Sequence, residues 1–161
     1  MTVKTQTEQR TSPASAEARQ IVGFSFYRLD PAWRRQARSV KNRQADELIS
    51  VVNAAAKKQM VLTYSLIGLK GDVDFLIWRV GDSLEAVQAI SSAIQQTAMA
   101  GYLAVPYSYL SMTKRSTYVD KVDPDHQDRR RFITPANSKY LFVYPFVKSR
   151  EWYLLPFEQR Q

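Results

Sequence analysis

The sequence alternates between two kinds of hydrophobic period, and the order of this alternation constrains the fold more than any other feature. Runs rich in aromatic and β-branched residues, typical of strands, are interleaved with stretches in which apolar residues recur at helical spacing. The strand-type runs cover residues 21–29, 62–66, 73–80 and 105–119, and the helix-type runs cover residues 31–59 and 84–101. The order β-α-β-β-α-β predicts an α+β fold of the ferredoxin-like type, with a helix layer over an antiparallel sheet.

Both helix-type runs begin with residues that satisfy free backbone N–H groups. Asp30 can cap the first helix, and Pro31 suits the first helical position because its missing N–H would have no partner there. Asp82 can cap the second helix, with Glu85 three residues later completing a capping box. The second run carries the most regular apolar stripe, formed by Leu84, Val87, Ile90, Ile94 and Ala98.

The polar residues between these runs have structural explanations. Gly68, Gly71 and Asp72 predict a turn that joins the second and third strands as a hairpin. Asp72 and Asp74 resemble a pair of catalytic carboxylates, but turn chemistry explains Asp72 without a reaction. His126 is the only histidine and lies in a charged stretch, where a solvated side chain is commoner than a metal ligand.

The two ends of the chain differ in character from the middle. Residues 1–20 are polar and predict a disordered tail, after which residues 21–119 form the ferredoxin-like domain. Residues 120–138 combine charge with turn residues and predict a linker. Residues 139–148 then predict a fifth strand that is apolar on both faces and begins an incomplete second repeat, residues 139–161. An aromatic strand that has no partner strand in its own chain is prone to aggregate unless another polypeptide covers it.

Composition excludes several kinds of site. The 161 residues contain no cysteine, which excludes disulfides, thiolate metal sites and cysteine nucleophiles. No run approaches the roughly 20 apolar residues of a membrane span, and the first residues lack the apolar block of a signal peptide, so we expect a cytoplasmic protein. Much of the net charge of +8 lies on the first predicted helix. Nucleic-acid binding stays open on this ground, although a solvated helix face accounts for the same residues: Arg34, Arg35, Arg38, Lys41 and Arg43.

Tyr144 and Lys148 are a further candidate pair of binding residues. Strand periodicity places them on the same face, roughly 13 Å apart along the strand. A phenol and an ammonium at that separation can line one large ligand but cannot share a small one. On composition alone, the favoured explanation is an edge-strand tyrosine with its hydroxyl at the rim and a lysine that blunts the strand end.

Two unusual strings of residues indicate a family. The first is Tyr-Ser-Tyr-Leu-Ser-Met-Thr-Lys-Arg-Ser-Thr-Tyr-Val at residues 107–119. The second is Lys-Tyr-Leu-Phe-Val-Tyr-Pro-Phe-Val-Lys at residues 139–148, continued by Glu-Trp-Tyr-Leu-Leu-Pro at residues 151–156. Both closely resemble the chlorite dismutase superfamily and, within it, the coprohaem decarboxylases. The resemblance covers residues 21–161, which correspond to the first half and a little more of a typical member.

The resemblance implies an assembly. Members have two ferredoxin-like repeats per subunit, of the dimeric α+β barrel type, form ring oligomers that are commonly pentamers, and bind haem in the second repeat. We therefore expect a homo-oligomer or hetero-oligomer in which a partner chain carries the second repeat.

The resemblance also implies roles for single residues. In the decarboxylases, hydrogen peroxide oxidises the coprohaem iron, and a tyrosine in the Tyr-Pro string becomes a radical that removes hydrogen from two propionates in turn, which releases carbon dioxide and leaves the vinyl groups of haem b. Tyr144 matches that tyrosine, and Lys148 matches the basic residue that holds a propionate. Trp152 matches a pocket tryptophan, and Arg130 or Arg131 matches a propionate-binding arginine.

The match departs from the family at the iron ligand. The axial histidine of the family lies on the helix after the Trp-Tyr-Leu-Leu-Pro string, beyond Gln161, and His126 cannot be aligned with it. We therefore expect haem or coprohaem to bind only with a partner chain. The sequence leaves open a split or truncated coprohaem decarboxylase, a non-catalytic structural or assembly subunit that uses its exposed fifth strand, and, less favoured, a basic nucleic-acid binder.

Overall fold

The computed structural model describes residues 19–114, 132–134, 138–156 and 159. Within them, the strands are β1 (Ile21–Leu29), β2 (Met60–Ser65), β3 (Phe75–Gly81) and β4 (Leu103–Met112). The helices are α1 (Pro31–Arg34), α2 (Arg38–Ala56), α3 (Leu84–Gln95) and α4 (Arg150–Leu154), and a 3-10 helix covers Ala98–Tyr102.

The strands form one antiparallel sheet in the order β2-β3-β1-β4. Phe24 of β1 lies opposite Trp78 of β3 on one side and Tyr109 of β4 on the other. β2 and β3 pair as the predicted hairpin, with Tyr64 opposite Leu76. This strand order is the one that a βαββαβ chain adopts in a ferredoxin-like domain, so the predicted α+β fold class is confirmed.

Helices α2 and α3 cover one face of the sheet and form the main core with it. Tyr27 of β1 and Ile77 of β3 are buried against Leu48 of α2 and against Ile90 and Ile94 of α3. Full burial of one such aliphatic side chain stabilises the fold by about 1.5–3 kcal/mol. Of the aliphatic stripe predicted on the second helix, Val87, Ile90 and Ile94 are buried, whereas Leu84 is 48% exposed and Ala98 lies in the 3-10 helix.

The opposite side of the sheet, which we call the open face, carries no helix in the described part of the chain. Phe26 and Leu76 are buried there, and the Phe26 ring makes edge contacts with Tyr107 and Tyr109 at centroid distances of 6.1 and 6.0 Å. Residues 138–149 cross this face as an irregular segment. The open face is thus aromatic, and a short piece of chain covers part of it.

The predicted helix over residues 31–59 is interrupted after its first turn. The N–H of Gln36 donates to the Trp33 carbonyl at 3.1 Å, and Ala37 then takes an extended conformation with ψ of 143°. The indole N–H of Trp33 donates to Gln44 Oε1 at 2.8 Å. In one straight helix these two residues would lie roughly 16 Å apart along the axis, so the prediction of a single helix was wrong because their bond requires the break.

Helix α3 starts at Leu84 as predicted, but its capping residue and its end differ from the predictions. Ser83, and not Asp82, caps the helix: its hydroxyl accepts a hydrogen bond from the Ala86 N–H at 3.1 Å. At the other end, Thr97 adopts an extended backbone and its hydroxyl donates to the Ile94 carbonyl at 2.8 Å. This bond occupies a carbonyl that the next helical turn would need, and the remaining predicted turns form the 3-10 helix instead.

The predicted fifth strand is absent, because residues 138–149 form no strand. Pro145 lacks an N–H, and no described strand runs beside the segment to complete a ladder of backbone hydrogen bonds. The side chains of this segment are largely exposed in the single chain, Tyr144 to 76% and Val147 to 97%.

Some expectations lie wholly or partly outside the described residues. The predicted strand over residues 105–119 is confirmed as β4 to Met112, and residues 115–119 are not among those described. The same holds for His126, Arg130 and Arg131. The division into a tail, a first domain, a linker and a second repeat stays a prediction. Among the described helices, none combines the length and the hydropathy needed to cross a membrane.

Candidate functional site

The segment over residues 138–149 presents a row of aromatic side chains away from the sheet. Up to Pro145 its side chains alternate, so that Leu141 and Val143 pack against the open face. The outward side chains, which we call the aromatic row, are Tyr140, Phe142, Tyr144 and Phe146. The rings of Tyr144 and Phe146 lie 6.5 Å apart with an angle of 24° between their planes. The row is therefore a ribbon of exposed rings anchored from behind by two aliphatic residues.

A cation is held at the carboxyl end of this row. The Lys148 ammonium lies 3.5 Å from the centroid of the Trp152 ring, a cation–π contact. Ser149 positions the tryptophan, because its hydroxyl accepts from the Trp152 N–H at 3.4 Å as the cap of α4. The structure thus brings together two of the residues selected from the sequence, Lys148 and Trp152.

Glu151 places an acidic side chain in the first turn of α4. Hydrogen bonds with its own backbone and with the Ser149 side chain lower the pKa of the Glu151 carboxyl below its ordinary value. Glu151 is therefore ionised at neutral pH. The N-terminus of a helix normally attracts anions, but here the Glu151 carboxylate opposes that attraction. A ligand carboxylate at this end of the row would therefore be attracted by Lys148 and not by the N-terminus of α4.

The Tyr144 phenol makes no hydrogen bond within the described part of the chain, and its ring is exposed. Lys148 lies four residues further along the same exposed segment. With the aromatic row between them, the two side chains can contact different parts of one large, flat, anionic ligand.

A polar cluster lies at one end of the open face, and it was not predicted from the sequence. The Lys70 ammonium lies 2.6 Å from Asp72 Oδ1 and 4.4 Å from the centroid of the Tyr107 ring, while the Tyr107 hydroxyl donates to the other oxygen of Asp72. The hydrogen bond from Lys70 lowers the pKa of Asp72, and the same bond raises the pKa of Lys70. Tyr107 is 35 residues from Asp72, and no local pattern indicates such a contact.

Asp74 has a structural role. Its Oδ2 accepts from the Leu29 N–H at 2.7 Å, and its Oδ1 lies 2.7 Å from the Arg34 guanidinium. Both carboxyl groups are engaged within the protein, Asp72 with Lys70 and Tyr107, and Asp74 with the Leu29 N–H and Arg34.

The described residues contain no cluster of three or more histidine, cysteine, aspartate or glutamate side chains that could hold a metal ion. The candidate site therefore consists of an aromatic surface that includes the phenols of Tyr140 and Tyr144, with Lys139 and Lys148 beside it. These groups suit the face and the carboxylate rim of a flat aromatic ligand.

The sheet order and the helix layer define a ferredoxin-like α+β domain whose open face is crossed by an irregular aromatic segment. A family model described as chlorite dismutase matches residues 41–161. The chain belongs to the chlorite dismutase family.

One curated relative is a coproheme decarboxylase from Mycolicibacterium smegmatis. It is 33% identical over 119 residues, which cover 72% of this chain and 49% of the relative. The chain therefore spans about half the length of this curated relative.

Solved structures show the same fold. A variant of chlorite dismutase from Candidatus Nitrospira defluvii matches with a TM-score of 0.72 at 21% identity, over 90% of this chain and 61% of that one. A structure described as a novel heme-binding protein from Thermus thermophilus matches with a TM-score of 0.57 at 20% identity, over 66% of this chain and 44% of that one.

Proposed function

We propose that this chain contributes the propionate side of a coprohaem decarboxylase site, within an assembly whose second repeat comes from further polypeptide. The observation that carries the proposal is the exposed aromatic row with Tyr144 in it and Lys148 held at its end. The relative from M. smegmatis, a coproheme decarboxylase 33% identical to this chain, supports the choice of ligand.

The residues present fit such a ligand in part. Coprohaem is flat, aromatic and carries four propionates, so exposed rings suit its face and an ammonium suits one carboxylate. No histidine lies in the part of the chain that the structure describes. We propose that the iron ligand comes from polypeptide outside the described residues, together with the second repeat.

Tyr144 and Lys148 would have different roles in the reaction. Bound coprohaem treated with hydrogen peroxide supplies the oxidising power for the reaction. Tyr144 gives up its phenolic hydrogen atom and recovers one from the β-carbon of a propionate side chain. That side chain then loses one further electron and carbon dioxide and becomes a vinyl group, so each propionate consumes one peroxide, which is reduced to two waters. Lys148 orients the carboxylate, and Arg130 or Arg131 is proposed as a second carboxylate partner.

Reconstitution tests the proposal directly. The full chain is titrated with ferric coproporphyrin, alone and with a second repeat supplied as a separate polypeptide, for which the C-terminal half of the M. smegmatis relative is the first choice. We expect a shift of the Soret band only when both polypeptides are present, and peroxide-dependent loss of carbon dioxide by mass spectrometry. If the two polypeptides form a complex that leaves the Soret band unchanged, the chain acts instead as a structural or assembly subunit.

Matched variants separate the roles of the two residues. Tyr144→Phe should abolish vinyl formation and leave the Soret titration unchanged, whereas Tyr140→Phe, in the same row, should alter neither. Lys148→Met should weaken coproporphyrin binding about tenfold, as expected for one lost charge-assisted contact, while Lys139→Met should not. Equal turnover by the Tyr144→Phe and Tyr140→Phe variants would remove Tyr144 from the mechanism.

A further inference from the structure

The connection between β2 and β3, residues 66–74, holds two large aliphatic side chains outside the core. Ile67 is 68% exposed and Leu69 is 81% exposed. Single exposed aliphatic residues are common on protein surfaces, so exposure alone indicates no function. Here, however, the two side chains flank one residue, Gly68, at the tip of the same turn.

The backbone of this turn is fixed, which means that the aliphatic side chains are held outward by structure. The N–H groups of Leu69 and Lys70 both donate to the Leu66 carbonyl, at 2.9 and 3.2 Å. Gly68 has a φ of +76°, a left-handed conformation that residues with a Cβ rarely adopt. The Leu66 N–H donates to the Asp74 carbonyl at 2.8 Å and closes the base of the turn. We call residues 66–70 the protruding turn.

Basic side chains lie at the same end of the sheet as the protruding turn. Arg28 and Arg34 line a polar recess of about 300 Å³ together with residues 71–74 of the same connection. Arg35 and Arg38 are exposed at the break between α1 and α2. Within the described residues, neither Arg28, Arg35 nor Arg38 forms an ion pair or a side-chain hydrogen bond.

The carboxylates nearby cancel only part of this charge. Asp74 binds Arg34 and Asp72 binds Lys70, while Asp30 accepts from the Ala32 N–H at 2.6 Å and keeps its negative charge. Five basic side chains (Arg28, Arg34, Arg35, Arg38 and Lys70) against these three carboxylates leave a net positive charge beside a rigid aliphatic tip. None of these residues belongs to the aromatic row.

We propose that this end of the domain docks on a membrane surface with anionic headgroups, with Ile67 and Leu69 inserted among the lipid chains and Arg28, Arg35 and Arg38 against the phosphates. Aliphatic insertion combined with a net positive charge is how peripheral proteins bind such surfaces. A protein partner fits less well, because interface cores are enriched in aromatic residues and a stable interface needs roughly 1,200 Å² or more, far beyond two side chains. The proposal does not depend on the proposed function, because no residue of the aromatic row takes part.

Vesicle sedimentation with the full chain tests the proposal. Vesicles of phosphatidylcholine with phosphatidylglycerol are compared with vesicles of phosphatidylcholine alone, at two salt concentrations. We expect binding to the anionic vesicles, weakened by salt, and little binding to the neutral ones. Leu69→Ser and Ile67→Ser should each weaken partitioning about tenfold, and Arg35→Gln about fivefold.

Matched controls make the result specific to this surface. Ile49→Ser removes an equally large exposed aliphatic residue from α2, away from the turn, and Arg43→Gln removes an exposed charge from the same helix. Neither should alter partitioning by more than about twofold. The proposal is overturned if the full chain does not bind anionic vesicles, or if the Leu69→Ser and Ile49→Ser variants bind them equally. Binding that needs the charges but not the turn would also overturn it, in favour of adsorption through net charge.

Discussion

At the scale of single residues, the most unusual group is a buried guanidinium between the sheet and α3. Arg79 is only 4% exposed, and it donates to the hydroxyls of Ser25 and Ser91 and to the Val87 carbonyl. Gly23 makes room for it, since a Cβ there would lie 3.2 Å from the guanidinium. Arg79 forms no ion pair within the described residues, and its burial lowers its pKa. Among the described residues, the hydrogen-bond partners of this cation are therefore neutral oxygen atoms, and its buried Nε has no partner.

Replacing this arginine should separate the effect of its charge from that of its volume. Arg79→Ala leaves a cavity and two hydroxyls without their partner, so we expect a loss of about 3 kcal/mol in the free energy of unfolding. Arg79→Met keeps much of the volume without a buried charge and should cost clearly less. The exposed Arg43→Met variant should lie within about 0.5 kcal/mol of the parent. Urea denaturation measures all three, and equal losses for the Ala and Met variants would contradict this account.

The neighbouring Tyr27 should make stability depend on pH in the alkaline range. Burial raises the pKa of its phenol above the ordinary value of 10.0, although the charge of Arg79 and a hydrogen bond with Ser25 oppose the shift. The unfolded chain therefore releases this proton at a lower pH than the folded chain does. The resulting stability is fully present below about pH 10 and is lost as the pH rises through the pKa of the folded state.

The test is the slope of the unfolding free energy against pH. Between about pH 9 and pH 11 the Tyr27→Phe variant should lose less stability than the parent protein, because it has no proton to release at this site. Urea denaturation at a series of pH values gives both curves. Parallel curves would show that the phenol of Tyr27 has the same pKa in both states.

At the scale of elements, the start of α3 shows how one side chain decides a helix boundary. Two polar residues, Asp82 and Ser83, precede the helix, and both residue types are good caps. Ser83 has the extended backbone of a cap, with φ of −144° and ψ of 160°, and its hydroxyl reaches the Ala86 N–H. Glu85 lies in the first turn, where its charge favours the positive end of the helix.

Two substitutions at this boundary should have different costs. Ser83→Ala removes the cap and should lower the free energy of unfolding by about 1 kcal/mol. Asp82→Ala should change it by less than about 0.5 kcal/mol, because Asp82 makes no cap bond. Thermal or urea denaturation distinguishes the two variants. A larger loss for Asp82→Ala than for Ser83→Ala would mean that the helix begins one residue earlier in solution.

At the scale of the whole molecule, the segment over residues 138–149 lies on the sheet without joining it. Leu141 and Val143 contact the open face, but the backbone of the segment makes no hydrogen bond within the described residues. Its apolar contacts hold it in place, while its N–H and C=O groups are left for solvent or for another strand.

Hydrogen exchange should report this difference. Amides of residues 141–147 should exchange at nearly the rate of an unstructured peptide, whereas amides in the middle of β1 should exchange at least about 1,000-fold more slowly. If a second-repeat polypeptide adds a strand beside the segment, its amides should become protected. Slow exchange in the isolated chain would show that the segment already has a backbone partner.

The sequence by itself determined the class of fold, because periodicity, capping residues and turn residues act over a few positions and are visible without a partner. The order of strands and helices, the limits of β1 and the aliphatic stripe of α3 all follow from such local patterns. Lys148 and Trp152, which the family resemblance selected, are in contact in the structure, while the roles of Tyr144, Lys148, Trp152, Arg130 and Arg131 stay predictions.

Only the tertiary structure decided contacts between distant residues. The hydrogen bond from Trp33 to Gln44 divides one predicted helix into two. The contact of Tyr107 with Asp72 creates a polar cluster that no local sequence pattern indicates. The missing fifth strand has the same cause, since a strand exists only when another strand supplies its hydrogen bonds. Local pattern shows which conformation a segment can adopt, and the neighbours that reach it in space decide whether it does.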